Sequence, residues 1–330
     1  MTTDPAGAIV KIDGKAVSKV GVKLIEKVAE GIGGLYRPVG IVREAKANAK
    51  AEVIAALAAQ QVSEIQQRAV QRFVAEEVRR QENIEKITAE AINHLHENAE
   101  PSRVNDDWMA NFFEKARIVS DEEMQSIWSK ILADEANAPG RFSKRTINLL
   151  SDLDKSDALM FSTLCQFSAN FGSRQLLVFD PDAEVYNARG VNFPALSHLE
   201  SLGLIKFETL TGFSLTGLPQ YFSFTYAGKQ LNIALKKPGD PFQTGKVMFT
   251  RMGSELSTLI EVTEVSGFFD YLSAQFESVG IMHSVDKNVT VAIPSGAHRM
   301  PDTSSILGAG AYAAWSHKGA DKGAGDDKGT

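Results

Sequence analysis

The sequence predicts a mainly α-helical protein with a smaller α+β part, and three observations carry that prediction. From Glu44 to about Asn98 the chain holds neither proline nor glycine and is rich in Ala, Glu, Gln and Arg, which predicts one helix of about 50 residues. From Asp106 to Phe167 helix-start signals follow one another closely, interrupted by Pro139-Gly140. After Ser173 apolar residues begin to alternate, as short strands require.

In chain order, residues 1–43 form an N-terminal amphipathic arm. Its helix is expected from about Ala16 to Ile32, with Val17, Val20, Leu24, Ile25, Val28 and Ile32 on one side. Lys11, Lys15, Lys19, Lys23 and Lys27 recur every four residues beside that apolar side. A lysine stripe next to an apolar stripe suits a helix lying on a membrane surface or in an acidic groove of a partner. It equally suits a solvated face on a helix that packs against its own protein. Lys15, Lys19, Lys23 and Lys27 are therefore candidate interaction residues. Gly31, Gly33 and Gly34 end the helix, and Arg37-Pro38 keeps the chain extended.

The second part, residues 44–100, is the long coiled-coil-like helix. Ile54, Ala58, Val62, Ile65, Ala69 and Phe73 step by four, four, three, four and four, and the stepping returns at Ile84, Ile87, Ala91 and Leu95. Between them Glu76 and Arg80 occupy the equivalent sites. An 11-residue repeat favours a straight or slightly right-handed bundle. A helix this long cannot bury its stripe on a small domain alone, so a homo-oligomer is expected, with Ile65 and Phe73 as contact residues. His94 and His96, two apart, point to different faces of a helix and make poor joint metal ligands.

The third part, residues 101–172, is a compact helical domain. Asp106 and Asp107 precede Trp108, Phe112, Phe113 and Ala116; Ser120 and Glu123 form a capping box ahead of Met124, Ile127, Trp128, Ile131 and Leu132. Ser143 caps a helix bearing Ile147, Leu149, Leu150 and Leu153, and Asp154 or Ser156 opens another with Leu159, Phe161, Leu164 and Phe167. Trp108 and Trp128 are expected in the core. Cys165, beside Leu164 and Phe167, reads as a buried inert thiol.

The run DDWMANFFEKARIVSDEEMQSIWSKILADEANAPGRFSKRTINLLSDLDKSDALMF, with GIGGLYRP before it and HLESLGLI after it, resembles the bacterial family catalogued as domain of unknown function 2806. The pattern is long and specific as a family marker and implies no activity. A looser similarity to abortive-infection proteins of the alpha type rests on the helix-and-tryptophan pattern and implies a role in phage defence.

The fourth part, residues 173–293, is expected to be a winged-helix-like α+β domain. Gln175 to Phe179 reads as a strand, Phe193 to Leu202 as a helix and Leu204 to Phe207 as a strand. Phe222, Phe224 and Tyr226 alternate before Ala227-Gly228, as Leu231, Ile233 and Leu235 do after it, which predicts a β-hairpin. A strand at Lys246 to Thr250, helices at Ser254 to Ile260 and Phe268 to Val279, and a strand at Val289 to Ile293 complete it. The helix before the wing, FPALSHLESLG, holds no Lys or Arg, whereas base and phosphate contacts need such donors. Nucleic-acid binding is therefore not expected, and a protein-interaction module is. Residues 294–330 turn to Gly, Ala, Ser, Asp and Lys, the composition of a disordered tail in which Tyr312 and Trp315 stand alone.

Composition bounds the function. A chain of 330 residues with 43% hydrophobic residues can build more than one core, and a net charge of -6 offers no general attraction for nucleic acid. No apolar run reaches the length of a membrane span, and the start lacks a secretory signal, so a cytoplasmic location is expected. No phosphate loop, dinucleotide fingerprint, HExxH, GxSxG or CxxC occurs. Neither a cofactor nor a metal is expected, and no catalytic residue is assigned. The reading is a cytoplasmic interaction or scaffold protein that self-associates and meets an unidentified protein partner, with peripheral membrane contact through the lysine stripe as a further option. The alternatives are a hydrolase or nuclease with a site near Asp106 to Arg145, where Asp134, Glu135, Arg141, Lys144 and Arg145 cluster in sequence, and a winged-helix nucleic-acid-binding regulator.

Overall fold

A computed structural model describes residues 11–12, 15–32 and 64–286. By contacts the chain divides into two units, the first drawing on Met1–Ala158 and Arg251–Ile260, the second on Leu159–Thr250 and Glu261–Pro294.

Among the described residues the first unit is helical apart from a two-strand turn, β1 (Lys11–Ile12) with β2 (Lys15–Ala16). Its helices are α1 (Lys19–Ile32), α2 (Glu64–Ile92), α3 (Asp106–Ala116), α4 (Glu122–Asn137) and α5 (Lys144–Asp152). To these it adds the start of α6 (Lys155–Cys165) and the distant α9 (Arg251–Ser257). Helix α1 starts at Lys19, three residues later than the expected Ala16, because Lys15 and Ala16 pair with β1. Of the stretch predicted as one long helix, Glu64–Ile92 is helical; residues 44–63, with Ile54, Ala58 and Val62, lie outside the described residues. The helix also stops at Ile92 and not near Asn98. There Asn93, His94 and Leu95 donate their amides to the carbonyls three residues back, the tighter bonding that closes a helix.

The core of this unit is aromatic. Trp108 stacks on Phe112 at 5.1 Å between ring centroids, and Phe112 meets the edge of Trp128 at 5.1 Å. Both tryptophans are buried, as the sequence predicts. The caps differ by one residue from expectation. Asn105 accepts from the Trp108 amide, leaving Asp106 and Asp107 in the first turn, and Asp121 replaces Ser120 as the cap of α4, accepting from the Met124 amide at 3.0 Å. A carboxylate one residue closer to the helix wins because it also meets the positive end of the dipole. Ser120 is left to accept from the Asn83 amide group at 3.3 Å. Ser143 caps α5 as predicted, accepting from the Thr146 amide.

The second unit contains a five-stranded antiparallel sheet of order β11-β8-β7-β3-β4. These strands are β3 (Ser168–Asn170), β4 (Arg174–Leu176), β7 (Tyr221–Tyr226), β8 (Lys229–Ala234) and β11 (Met282–Asp286). The β7–β8 hairpin forms as predicted, with Phe224 opposite Leu231 and Tyr226 opposite Lys229. Its two-residue turn puts both Ala227 and Gly228 at positive φ, 47° and 76°. That is the twist-matched hairpin turn, for which Gly228 is the natural second residue. The sequence did not signal β11 as a strand, and the strand predicted at Val289 to Ile293 lies outside the described residues, as do Tyr312 and Trp315.

Two helices, α7 (Glu184–Asn187) and α8 (Phe193–Ser201), lead into β5 (Ile205–Phe207). Strand β5 does not pair with the hairpin, which would have been the wing; it pairs antiparallel with β10 (Val247–Phe249), Phe207 opposite Val247. Between them β6 (Phe213–Leu215) pairs with β9 (Phe242–Gly245), two short strands that sequence alternation was too brief to reveal. Gly245 is required where it stands. At φ 107° its backbone passes so close to the Val178 carbonyl that any Cβ would overlap it. Helix α10 (Phe268–Ser278) supplies Phe268, Leu272 and Phe276 to this core.

Candidate functional site

Helix α2 changes character along its length. From Asn83 onward it is part of the core: Ile84, Ile87 and Ala91 are buried, and α4 packs along it. A polar weld marks the point of entry. Asn83 donates to the Arg117 carbonyl at 2.9 Å and accepts from Gln125 at 3.0 Å, while Gln125 also donates to the Val119 carbonyl at 2.8 Å. Burying these amides is tolerable only because they are bonded to one another. Between Glu64 and Glu82 no residue is buried. Ile65 is 71% exposed and Phe73 63% exposed, and with Ala69 they continue the row that Ile84, Ile87 and Ala91 bury lower down.

The row is flanked by charge. Glu64 pairs with Arg68 at 3.5 Å, Arg72 with Glu76 at 3.8 Å, and Arg80 with both Glu76 and Glu77. Such i,i+3 and i,i+4 pairs stabilise a solvated helix by about 0.2–0.5 kcal/mol each. They help keep this half helical but do not cover Ile65 or Phe73.

The four candidate lysines do not share one surface. Lys15 lies in β2, Lys19 and Lys23 are exposed on α1, and Lys27 is turned inward. Its side chain is 10% exposed and forms an ion pair with Asp106 in the first turn of α3 and a longer one, 3.9 Å, with Glu30. The apolar side of α1 is also spoken for, since Leu24 and Val28 are fully buried within the unit. Lys27→Glu is expected to cost about 1–3 kcal/mol, by setting a carboxylate against Asp106 and Glu30 in a nearly buried place. Lys19→Glu and Lys23→Glu should stay within about 0.5 kcal/mol of the parent. Urea unfolding of the three variants checks the contrast.

The acidic and basic cluster around Pro139-Gly140 is a fastening. The Glu135 carboxylate accepts from the amides of Gly140 at 2.6 Å and Phe142 at 2.9 Å, and burial raises its pKa above the ordinary carboxylate value against the pull of those amides. Asp134 sits 3.4 Å from Arg141, and burial raises its pKa also. From the other end of the unit's sequence, Glu255 on α9 accepts from the Ser143 amide at 2.8 Å, from the Thr146 hydroxyl and from Arg251 at 2.8 Å. Every acceptor bond of Glu135 and Glu255 holds backbone, a helix start or a neighbouring side chain in place. His94 and His96 lie in the turn after α2, which Asn137 clamps by accepting from the His96 amide and donating to the His94 carbonyl. Among the described residues, no group of three or more His, Cys, Asp or Glu is arranged to hold a metal ion. Cys165 is fully buried, and burial pushes its thiol pKa far up, so it stays protonated and unreactive.

In the second unit the exposed side of α8 presents Phe193, Pro194, Ser197, His198 and Ser201, with Phe193 55% exposed and in edge contact with Phe207. No Lys or Arg lies on that helix. A separate cleft of about 250 Å³ has Phe179, Leu235, Pro241, Phe276 and Val279 along its walls. Sequence reasoning found the α2 row through its 11-residue stepping. It missed Asp106 as the partner of Lys27 and Glu255 as the second anchor of α5, since both are contacts between segments far apart in the chain.

Among the described residues no helix is long and apolar enough to cross a membrane. A family model described as "Protein of unknown function (DUF2806)" matches residues 67–273. No curated protein and no solved structure matches the chain.

Proposed function

We propose, on the premise that this chain belongs to the DUF2806 family of proteins of unknown function, that it is a non-enzymatic interaction protein whose contact surface is the exposed half of α2. The observation that carries this reading is the exposure of Ile65 and Phe73 on a helix whose other half is core. Leaving two large apolar side chains in water forgoes about 1.5–3 kcal/mol apiece. The same row sinks into the core as soon as neighbouring helices are present to cover it. An apolar row continued beyond the covering helices marks an interaction surface. The bonded state of Glu135 and Glu255 favours this reading over a hydrolase or nuclease near Asp106 to Arg145. Phage defence, implied by the looser resemblance, is the biological setting we attach to it.

Hydrogen exchange tests the reading. Amides of residues 64–80 are expected to exchange within the fraying regime at low protein concentration and to become protected as concentration rises, while those of 84–92 stay protected throughout. Rapid exchange of 64–80 at every concentration and with every partner fraction would remove the proposal.

A second reading concerns α7, α8, β5 and β10, for which the antiparallel β5–β10 pair directly after α8 supports a winged-helix-like arrangement with a long insertion in place of the wing. Its helix carries Phe193 on the exposed side and no Lys or Arg, which favours a protein partner over DNA. Phe193→Ala should then weaken capture of that partner without lowering the melting temperature.

A further inference from the structure

We infer that the partner of the exposed half of α2 is a second copy of this chain, aligned parallel, so that the row Ile65, Ala69 and Phe73 meets its own counterpart in register. The inference rests on the interaction reading above and adds to it the occupant and its direction. The argument is charge complementarity across the row.

At about 100° of turn per residue, Arg68, Arg72 and Arg79 fall along one flank of the row and Gln66, Val70 and Glu77 along the other. The side chains of Arg68 and Arg72 are 69% and 78% exposed, and Glu77 is 41% exposed, so all three are placed to meet a neighbour. Two parallel copies set the arginine flank of one against the Glu77 flank of the other, on both sides of the seam. Two antiparallel copies set arginine flank against arginine flank, and like charges across a seam oppose assembly. The row itself changes at Glu76 and Arg80, which occupy core-equivalent sites with charge, and at Asn83 the same face becomes occupied by the unit's own helices. A parallel pair therefore packs its apolar row up to Phe73, reaches Glu77 of the other copy through the long Arg72 side chain, and separates where each helix enters its own unit at Asn83. Ala69, small and central, lets the two backbones approach between the larger Ile65 and Phe73.

The test uses the full chain with single cysteines. In a parallel pair residue 65 meets residue 65 and residue 73 meets residue 73. In an antiparallel pair only one level of the helix can face its own copy, and these two positions are about 12 Å apart along the axis, beyond what one such level can serve. Ile65→Cys and Phe73→Cys are both expected to form interchain disulfides under mild oxidation, faster than the exposed control Ser102→Cys; Cys165 is buried and does not compete. Arg72→Glu should weaken the pair about tenfold, and Arg72→Glu with Glu77→Arg should restore it. A dimer by light scattering that crosslinks at no more than one of the two positions, or that the double charge swap fails to restore, overturns the parallel order and leaves self-association standing. A wild-type chain that is monomeric at all concentrations overturns both.

Discussion

Trp128→Ala is expected to lower stability by about 3–5 kcal/mol, the cost of removing a large buried aromatic ring and leaving a cavity. Trp128 has no exposed surface and is gripped at its edge by Phe112, which in turn stacks on Trp108. Removing it takes one end off a three-ring cluster centred on Phe112 and leaves a cavity where its ring made edge contact with Phe112. For a unit of this size the loss corresponds to about 6–20 °C in melting temperature. Trp128→Phe sharpens the prediction. The indole N–H of Trp128 is buried with no hydrogen-bond partner, so phenylalanine gives up volume but no bond and should cost much less than alanine. Trp108 differs, because its indole N–H donates to the Phe142 carbonyl at 2.9 Å. Trp108→Phe should therefore cost more than Trp128→Phe, and a denaturant titration showing the reverse order would refute this account of the stack.

Glu135→Ala is expected to cost about 2–4 kcal/mol, since it strips the acceptor from the buried Phe142 amide, whose orphaning costs about 1–3 kcal/mol, and from the part-buried Gly140 amide, whose bond contributes about 0.5–1.5 kcal/mol. The effect reaches the tryptophans, because Phe142 supplies the carbonyl that Trp108 bonds. Loss of Glu135 and loss of the Trp108 indole bond should accordingly be non-additive. A pH dependence follows from the raised pKa of Glu135, which desolvation causes. A carboxyl that holds its proton more firmly in the folded state contributes stability that is complete below its unfolded pKa and is lost as pH rises through the folded value. Hence the melting temperature of the wild type relative to Glu135→Gln should be highest at acid pH and fall as pH rises through the range just above the ordinary glutamate value. A difference that grows with pH would contradict the desolvation account.

Much of the helical unit was legible because its signals are local. The Ser143 cap, the Pro139-Gly140 stop and the Ala227-Gly228 hairpin turn each act over a few residues, and each appears where the sequence puts it. Errors of one residue at Asn105 and Asp121 arose because neighbouring Asp, Asn and Ser compete for one cap. Leu159, expected on the apolar side of α6, is 60% exposed, which spacing alone could not foretell. The hidden features are long-range. Nothing local says that Lys27 will pair with Asp106, that Glu255 will anchor residues 143 and 146, or that β5 will choose β10 over the hairpin. Of the candidate site, Ile65 and Phe73 were legible from periodicity, whereas the lysine spacing was a poor guide because α1 turns Lys27 into the unit.

The central claim, that the exposed half of α2 is where copies of this chain meet, is tested most directly by the solution mass of the wild type beside Ile65→Glu/Phe73→Glu. Light scattering should give twice the 35.9 kDa of a single chain for the wild type and one chain for the double variant, with both unfolding at the same urea concentration once dissociated. The substitutions touch only exposed positions, so the folded unit should survive them. An equal mass for the two proteins, whether of one chain or of two, would contradict the account.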